Sequence, residues 1–214
     1  MRKAKTENNK KDNLTLFIYN DLLAKLMSNE LAPGTIIDRN ILAEQYNVSV
    51  APVRDALTRL TLEGFIVTKP YSGTVVKAIS REDVIGNLVM REALETQAVR
   101  MIHGKKIQDH YDELRGLAIE IENCSDQTAY WYADVAFHQK LVSLCECPLL
   151  INNYDQIMSI GNFYRINTFL MNNDPTKRSS HIELLEHLKS EDVQEAVDEI
   201  IKHLHSGKEI QYLP

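Results

Sequence analysis

Apolar residues recur at helical spacing in three blocks between residues 14 and 60, and the turn Ala32-Pro33-Gly34 follows the first block. Spacings of three and four residues predict an amphipathic helix for each block. The blocks are Leu16, Ile18, Leu22, Leu23 and Leu26; Leu42, Ala43 and Tyr46; and Val53, Ala56, Leu57 and Leu60. Asn47-Val48 supplies a short turn before the third block, and Ser49 stands at an N-cap position. The pattern predicts a helix-turn-helix.

Two short β-rich segments follow the helix-turn-helix. Residues 65–68 and 73–76 are predicted as strands on either side of the turn Lys69-Pro70-Tyr71-Ser72. From Ser80 onward the apolar pattern is helical only, with polar, Pro or Gly breaks. The predicted fold is mainly α: an N-terminal winged helix-turn-helix with a small β wing, followed by an antiparallel six-helix bundle.

Charge separates the same two regions. Residues 1–80 hold 11 Lys and Arg against 8 Asp and Glu, a net of +3, so residues 81–214 carry −9 of the total of −6. A mildly basic first region in an acidic chain favours nucleic-acid contact in that region. We therefore predict a disordered basic tail at residues 1–13, a DNA-binding domain at 14–78 and an all-helical domain at 79–214. The alternative for the tail is a basic arm that touches phosphate.

The remaining composition predicts a cytoplasmic protein. No apolar run approaches the roughly 18 residues of a membrane span, and no secretory apolar stretch follows the charged first residues. The three cysteines, Cys124, Cys145 and Cys147, lack the paired spacings of a zinc finger or a disulfide framework. They are predicted to be reduced thiols.

The third predicted helix is the candidate for DNA recognition. A recognition helix lies in the major groove with its first residues at the base edges. The candidate contacts are Ser49, Val50, Ala51 and Pro52 at its start, and Arg54 and Arg59 on its polar side. For Arg54 the alternative is a surface charge or an ion pair with Asp55.

Polar residues occupy apolar stripes at four positions of the predicted bundle. Asp134 and His138 lie one turn apart within a stripe of the helix around residues 128–146. His181 lies at the centre of a later stripe, and His203 lies at the edge of the last one. A buried carboxylate is costly unless it is paired or metal-bound, and Asp/His sets suit zinc and neighbouring transition metals such as nickel. The alternative is a group of hydrogen-bonded core histidines.

Arg91 and Glu95 form a further polar pair within an apolar stripe, on the first helix of the bundle. One interpretation is an internal ion pair, since the two residues are one turn apart. The guanidinium group also suits bidentate binding of a carboxylate. Arg165, in GNFYRINTF, is a second candidate, and a place on a polar helix face is its alternative.

The segments NELAPGTIID, LAEQYNVSVAPVRDALTRLTLEGFI and SGTVV resemble the winged DNA-binding domain of the GntR family of bacterial transcriptional regulators. The resemblance covers residues 14–78. It places Arg54 at the family's retained Arg and Gly73 at the glycine of the wing, which implies DNA contact by both. Val50 and Asn40 depart from the family, which usually has Arg at these places, so the operator is expected to differ from the commonest family sites.

Residues 80–210 resemble the FCD effector-binding domain, the partner of GntR winged helices in the FadR-like subfamily. The D-x-x-x-H pair formed by Asp134 and His138 matches its metal-site pattern, as do His181 and His203, which follows 22 residues later. The resemblance therefore implies a bound metal. It also implies that Arg91, within an R-x-x-L-E stretch, faces an effector cavity.

These observations predict a ligand-responsive transcription factor that binds a pseudo-palindromic double-stranded operator as a homodimer. A small organic acid bound at the metal is expected to relieve repression. Two other interpretations remain open: a metal-dependent helical enzyme with an attached DNA-binding module, and a metal sensor whose effector is the ion itself. Against the enzyme, no convincing general base stands beside the four proposed ligands.

Overall fold

Helices dominate the structure, which is a computed structural model. It describes residues 2–69, 73–125, 127–167 and 179–206, without the side chains of residues 2–12, 127–128 and 166–167. Contacts divide the chain into two compact units. The winged unit comprises residues 1–80 and 162–168, and the helical unit comprises residues 81–161 and 169–214. Within the described ranges, no helix is long and apolar enough to cross a membrane.

The winged unit contains the predicted helix-turn-helix. Its elements are α1 (Arg2–Met27), β1 (Ile36–Ile37), α2 (Arg39–Gln45), α3 (Val50–Leu62), β2 (Ile66–Lys69) and β3 (Gly73–Val76). Asp38 caps α2, because its carboxylate accepts hydrogen bonds from the backbone N–H groups of Asn40 and Ile41. Asn47 turns the chain between α2 and α3 with a φ of +53°, a left-handed conformation that Asn tolerates better than most residues.

The wing is a three-stranded antiparallel sheet with the order β1-β3-β2. The hairpin pairs Ile66 with Val76 and Lys69 with Gly73. The first strand is therefore shifted by one residue from the prediction, since Lys69 was predicted in the turn. Strand β1 was not predicted, because two residues are too short to show an alternating pattern. The predicted turn lies outside the described residues apart from Lys69.

Helix α1 extends further than the sequence predicted. It begins at Arg2 and runs through residues 2–13, where a disordered tail was predicted. No Gly or Pro interrupts this polar segment, so it can continue the helix that packing fixes farther along the chain. Two tyrosine–carboxylate hydrogen bonds tie the three helices together: Tyr19 donates to Glu63 at 2.7 Å, and Tyr46 donates to Asp21 at 2.5 Å.

The helical unit confirms the mainly α fold class. Its helices are α4 (Arg81–Ile102), α5 (Lys105–Asp109), α6 (Tyr111–Glu122), α7 (Gln127–Ser143), α8 (Pro148–Asn167), α9 (His181–His187) and α10 (Val193–His205). The last residues of α8, from Asn162 onward, belong to the winged unit. The described part has seven helices where six were predicted, because the segment after Gly104 breaks at His110 into α5 and α6. Helix α4 packs on α7 and α10, and α6 packs on α7 and α9.

We predict that Leu60→Ala destabilises the winged unit by about 2–5 kcal/mol, because a fully buried leucine loses its packing and leaves a cavity. Leu60 on α3 is 0 % exposed. The free energy of opening is measured on the full chain by hydrogen exchange of the α3 amides.

Leu62→Ala is the matched control on the same helix. The Leu62 side chain is 79 % exposed, so the change is expected to stay within about 0.5 kcal/mol. Equal effects of the two substitutions would contradict the packing of α3 described above.

Candidate metal centre and DNA-binding surface

The four residues predicted as metal ligands come together in the helical unit. Asp134 and His138 lie one turn apart on α7, His181 is the first residue of α9, and His203 lies on α10. All four are buried, and one ligand atom from each lies within 4.8 Å of the others. We call these four residues the Asp/His cluster.

The imidazoles of the Asp/His cluster direct their Nε2 atoms toward a common centre. His181 Nε2 lies 3.0 Å from Asp134 Oδ1 and 3.2 Å from His203 Nε2. His138 Nε2 lies 3.7 Å from Asp134 Oδ1 and, although buried, has no hydrogen-bond partner among the described residues. Atoms that bind the same metal ion at about 2.0–2.2 Å lie about as far from one another as the ligand atoms of the Asp/His cluster do. The spacing and the orphaned nitrogen fit a metal ion.

The protonation states also suit a metal. Burial, together with His181 and His138, lowers the pKa of His203 well below its usual value. Burial likewise lowers the pKa of His138, although Glu95 opposes the shift. Burial would raise the pKa of Asp134, but His138, His181 and the guanidinium group of Arg91 on α4 bring this pKa well below its usual range. Neutral imidazoles and an ionised carboxylate are the forms that bind metals.

Glu95 is a buried carboxylate on α4 beside the Asp/His cluster. It accepts hydrogen bonds from Arg91 Nε at 2.6 Å, His138 Nδ1 at 2.7 Å and the Tyr154 hydroxyl at 2.8 Å. Burial would raise the pKa of Glu95, but His138 and Arg91 lower it well below its usual range. The contacts of Glu95 with His138 and Tyr154 were not predicted from the sequence, because no local pattern shows which residues of α7 and α8 face α4.

Arg91 lies between two carboxylates. Its Nε donates to Glu95, and its Nη2 lies 3.7 Å from Asp134 Oδ2. The internal Arg91–Glu95 pair that the sequence allowed is therefore present. A guanidinium group has five N–H donors, and the hydrogen bond to Glu95 uses one of them. The pair is compatible with a second role for Arg91, so the effector anchor stays a prediction.

Arg165, the second candidate anchor, belongs to the winged unit rather than to the unit that holds the Asp/His cluster. Its Nη2 lies 3.4 Å from Asn162 Oδ1, three residues earlier on α8. Its effector role also stays a prediction, and Arg91 is the candidate that accompanies the proposed ligands.

The start of α3 presents part of the predicted DNA-binding surface. Ser49 is the N-cap residue, as predicted, although its side chain makes no capping hydrogen bond. Ser49 and Val50 are exposed. The Arg54 side chain is 63 % exposed and pairs with Asp55 at 3.3 Å. Exposed ion pairs contribute little stability, so Arg54 can exchange Asp55 for a group on DNA.

Other predicted contacts of the recognition helix differ in exposure. Pro52, predicted near a base edge, is instead buried, because helical periodicity places it one turn before buried Ala56. Ala51 is half-buried. Gly73 is exposed at the start of β3, with a φ of +72° that favours glycine at this place in the wing.

Arg59 is held by neighbours inside the winged unit. Its Cζ lies 3.8 Å from the centre of the Tyr19 ring, and its Nε lies 2.9 Å from Glu63 Oε1. The Arg59 side chain is nevertheless 51 % exposed. A phosphate contact by Arg59 stays a prediction, and the phosphate would compete with Glu63.

Two family models match the chain in the two regions just described. Residues 14–76 match the model described as bacterial regulatory proteins, gntR family. Residues 87–206, which include the whole Asp/His cluster, match the FCD domain.

Individual relatives agree with the family models. The HTH-type transcriptional repressor RspR of Escherichia coli K12 is 26% identical over 158 residues, which cover 71% of this chain and 68% of RspR. The Nta operon transcriptional regulator of Aminobacter aminovorans is 29% identical over 141 residues, which cover 65% of this chain and 67% of that regulator. The structure of E. coli McbR/YncC has the same fold, with a TM-score of 0.59 at 24% identity over 90% of this chain and 93% of that chain. The chain belongs to the GntR family of transcriptional regulators and carries an FCD domain.

Proposed function

We propose that this regulator is a cytoplasmic repressor that binds operator DNA as a homodimer, and that a small carboxylate bound beside the metal-loaded Asp/His cluster releases it. The observation that carries the proposal is the cluster itself: four buried ligand atoms, one of them orphaned, with a guanidinium group 3.7 Å from the carboxylate. One of the relatives is named as a transcriptional repressor, which supports repression as the effect on transcription.

Zinc is the ion that we assign to the Asp/His cluster. Three imidazole nitrogens and one carboxylate oxygen are donors that zinc commonly binds. Nickel accepts similar donors and is the alternative. The bound ion would act as a Lewis acid that attracts the carboxylate of the effector.

The buried charges support an anionic effector. Metal binding requires the three histidines to be neutral, and the charges of Arg91, Glu95 and Asp134 then sum to one negative charge. A divalent cation would change this sum to one positive charge in a region largely excluded from water, where an unbalanced charge is costly. One carboxylate would restore neutrality, and the remaining N–H donors of Arg91 suit its two oxygens. We therefore assign the site to a small organic acid.

The exposed start of α3 supports binding in the major groove. Val50 stands where GntR domains usually have Arg, and its side chain is 37 % exposed. An apolar side chain at a base edge suits the methyl group of thymine, whereas Arg suits guanine. We expect an A·T pair in the operator at the place that Val50 faces, and we assign direct base or phosphate contact to Arg54.

Arg54→Ala is expected to weaken operator binding by about 1–3 kcal/mol, because a charged contact to DNA is lost. Affinity is measured by fluorescence anisotropy with a duplex that the wild-type protein has selected from a random pool. The titration is repeated at two salt concentrations, because wild-type affinity should fall as salt rises.

Arg100→Ala is the matched control for Arg54→Ala, because it removes the same charge from an exposed position of α4 in the helical unit. Equal effects of the two substitutions would indicate long-range charge rather than contact. Unchanged affinity in a folded Arg54→Ala protein would remove Arg54 from the DNA-binding surface.

His181→Ala is expected to lower both the bound metal and the melting temperature. A ligand that binds only the folded state stabilises it by about 2.7 kcal/mol at 100 times its dissociation constant. Metal is measured by elemental analysis of protein purified without chelator or affinity resin, before and after loading with zinc. His187→Ala is the control, because His187 lies on the same helix with its side chain 48 % exposed. If the wild-type protein holds no metal and cannot be loaded, the cluster is a hydrogen-bonded core.

Arg91→Lys is expected to keep metal and operator binding but to lose the response to the effector, because lysine keeps the charge and lacks the bidentate fork. Small carboxylates are screened by thermal shift with zinc present, and each stabiliser is tested for release of operator DNA. Coupling between two sites is typically worth about 1–3 kcal/mol, or about 5- to 150-fold in affinity, and must be reciprocal.

Three results would contradict the effector proposal. A normal response of Arg91→Lys and of Arg91→Ala would remove the anchor role and leave the Arg91–Glu95 ion pair as its explanation. Release of the operator by zinc alone would identify a metal sensor. Turnover of the added acid would identify an enzyme.

A further inference from the structure

Two histidines of the Asp/His cluster have their second ring nitrogen occupied by a neighbour that is not a proposed ligand. His138 Nδ1 lies 2.7 Å from Glu95 Oε2, and His203 Nδ1 lies 2.7 Å from Ser179 Oγ. Only an unprotonated nitrogen can bind a metal, and a neutral imidazole carries one proton. The partner of Nδ1 therefore decides whether Nε2 is ready for the ion.

At His203, two serine hydroxyl groups determine which ring nitrogen carries the proton. Ser206 Oγ donates its single proton to the carbonyl oxygen of His203 at 2.7 Å. Toward Ser179 Oγ, 2.8 Å away, Ser206 can then only accept. Ser179 accordingly donates to Ser206, and its oxygen accepts from His203 Nδ1. With this direction of the hydroxyl groups, the imidazole proton of His203 would lie on Nδ1 and the lone pair on Nε2.

At His138, the carboxylate of Glu95 determines which ring nitrogen carries the proton, and the proton again lies on Nδ1. An ionised carboxylate can only accept, so the proton between Glu95 and His138 lies on Nδ1. Arg91 and Tyr154 donate to the other oxygen of Glu95, which keeps this carboxylate in place. The lone pair of His138 Nε2 is consequently directed into the cluster, where that atom is buried without a partner among the described residues.

His181 is different and provides an internal comparison. Its Nε2 lies 3.0 Å from Asp134 Oδ1 and 3.2 Å from His203 Nε2. Both neighbours act as acceptors, so in the metal-free protein His181 Nε2 carries the proton and donates it to Asp134. His181 is thus the histidine whose tautomer must change before it can bind an ion.

We propose that Glu95 and the Ser179–Ser206 pair are positioning residues that hold His138 and His203 in the metal-binding tautomer before the ion arrives. The inference rests on the proposed metal function. Loss of such partners of metal-binding histidines typically costs about 10- to 100-fold in affinity. The prediction extends to Ser206, whose hydroxyl group contacts no side chain of the cluster.

The test begins with the metal-free wild-type protein. Nitrogen chemical shifts of ¹⁵N-labelled histidines are expected to show a proton on Nδ1 of His138 and His203 and on Nε2 of His181. Titration with zinc alone should then change the tautomer of His181 only. A proton on Nε2 of His138 or His203 in the metal-free protein would overturn the proposal.

Ser206→Ala tests the hydroxyl chain. Without Ser206, Ser179 becomes free to donate to His203 Nδ1, so the proton of His203 should move to Nε2 and zinc affinity should fall by about 10- to 100-fold. Zinc affinity is measured by competition with a chromophoric chelator. Ser143→Ala is the matched control, because Ser143 also donates to a carbonyl oxygen three residues earlier at the end of a helix. Wild-type tautomers and zinc affinity in Ser206→Ala would overturn the role of the serine pair.

Glu95→Gln tests the role of the carboxylate. Glu92→Gln is its matched control, because Glu92 lies on the same helix and contacts a histidine outside the cluster, His205, at 2.7 Å. Glu95→Gln should weaken zinc binding and mix the His138 tautomers, whereas Glu92→Gln should do neither. Equal zinc affinities in the two variants would overturn the role of Glu95. A wild-type protein that shows the expected tautomers but binds no zinc would refute the proposed metal function and leave the histidine positioning intact.

Discussion

Two carboxylates, Glu95 and Asp134, lie inside the helical unit, and the rest of its interior is arranged around them. A buried and unpaired carboxylate costs several kcal/mol, so each oxygen needs a donor or a cation. Arg91 serves both carboxylates, while His138, His181 and Tyr154 supply the other contacts. Each charged group is therefore held in place by the others, and removal of one leaves another unpaired.

Apolar side chains surround the two carboxylates and their partners, which strengthens the electrostatic interactions among these polar side chains. The rings of Phe137 and Tyr130 pack edge-on against His181, with centroids 5.1 and 6.3 Å away. Interactions between charges are stronger where water is excluded. Helices α4, α7, α9 and α10 each contribute at least one of these buried polar side chains. A metal ion or an anion that binds among them would therefore change the charge balance at four helices at once. This charge coupling supports the proposed role of the site in binding a small charged molecule.

In the winged unit, packing holds the short helix α3 in place while Ser49, Val50 and Arg54 stay exposed. Tyr19 and Tyr46 tie α1 to the segments around α3 and α2 through carboxylates. The buried face of α3, which includes Pro52 and Leu60, packs into the unit, whereas Arg54 remains on the open side. The predicted DNA-binding surface is thus the part of α3 that does not pack against the rest of the unit.

The sequence by itself determined the helix-turn-helix, the wing hairpin and the buried positions of the Asp/His cluster. These are local signals: a period of 3.6 or 2 residues, and a polar residue within an apolar stripe. Tertiary structure alone decided that β1 completes the sheet and that Glu95 contacts His138. The last contact joins residues 43 apart in the chain, and the contact between Ser179 and His203 joins residues 24 apart. No local pattern encodes which ring nitrogen of a histidine faces the centre, because the packing of distant helices selects the hydrogen-bond partner of the other nitrogen.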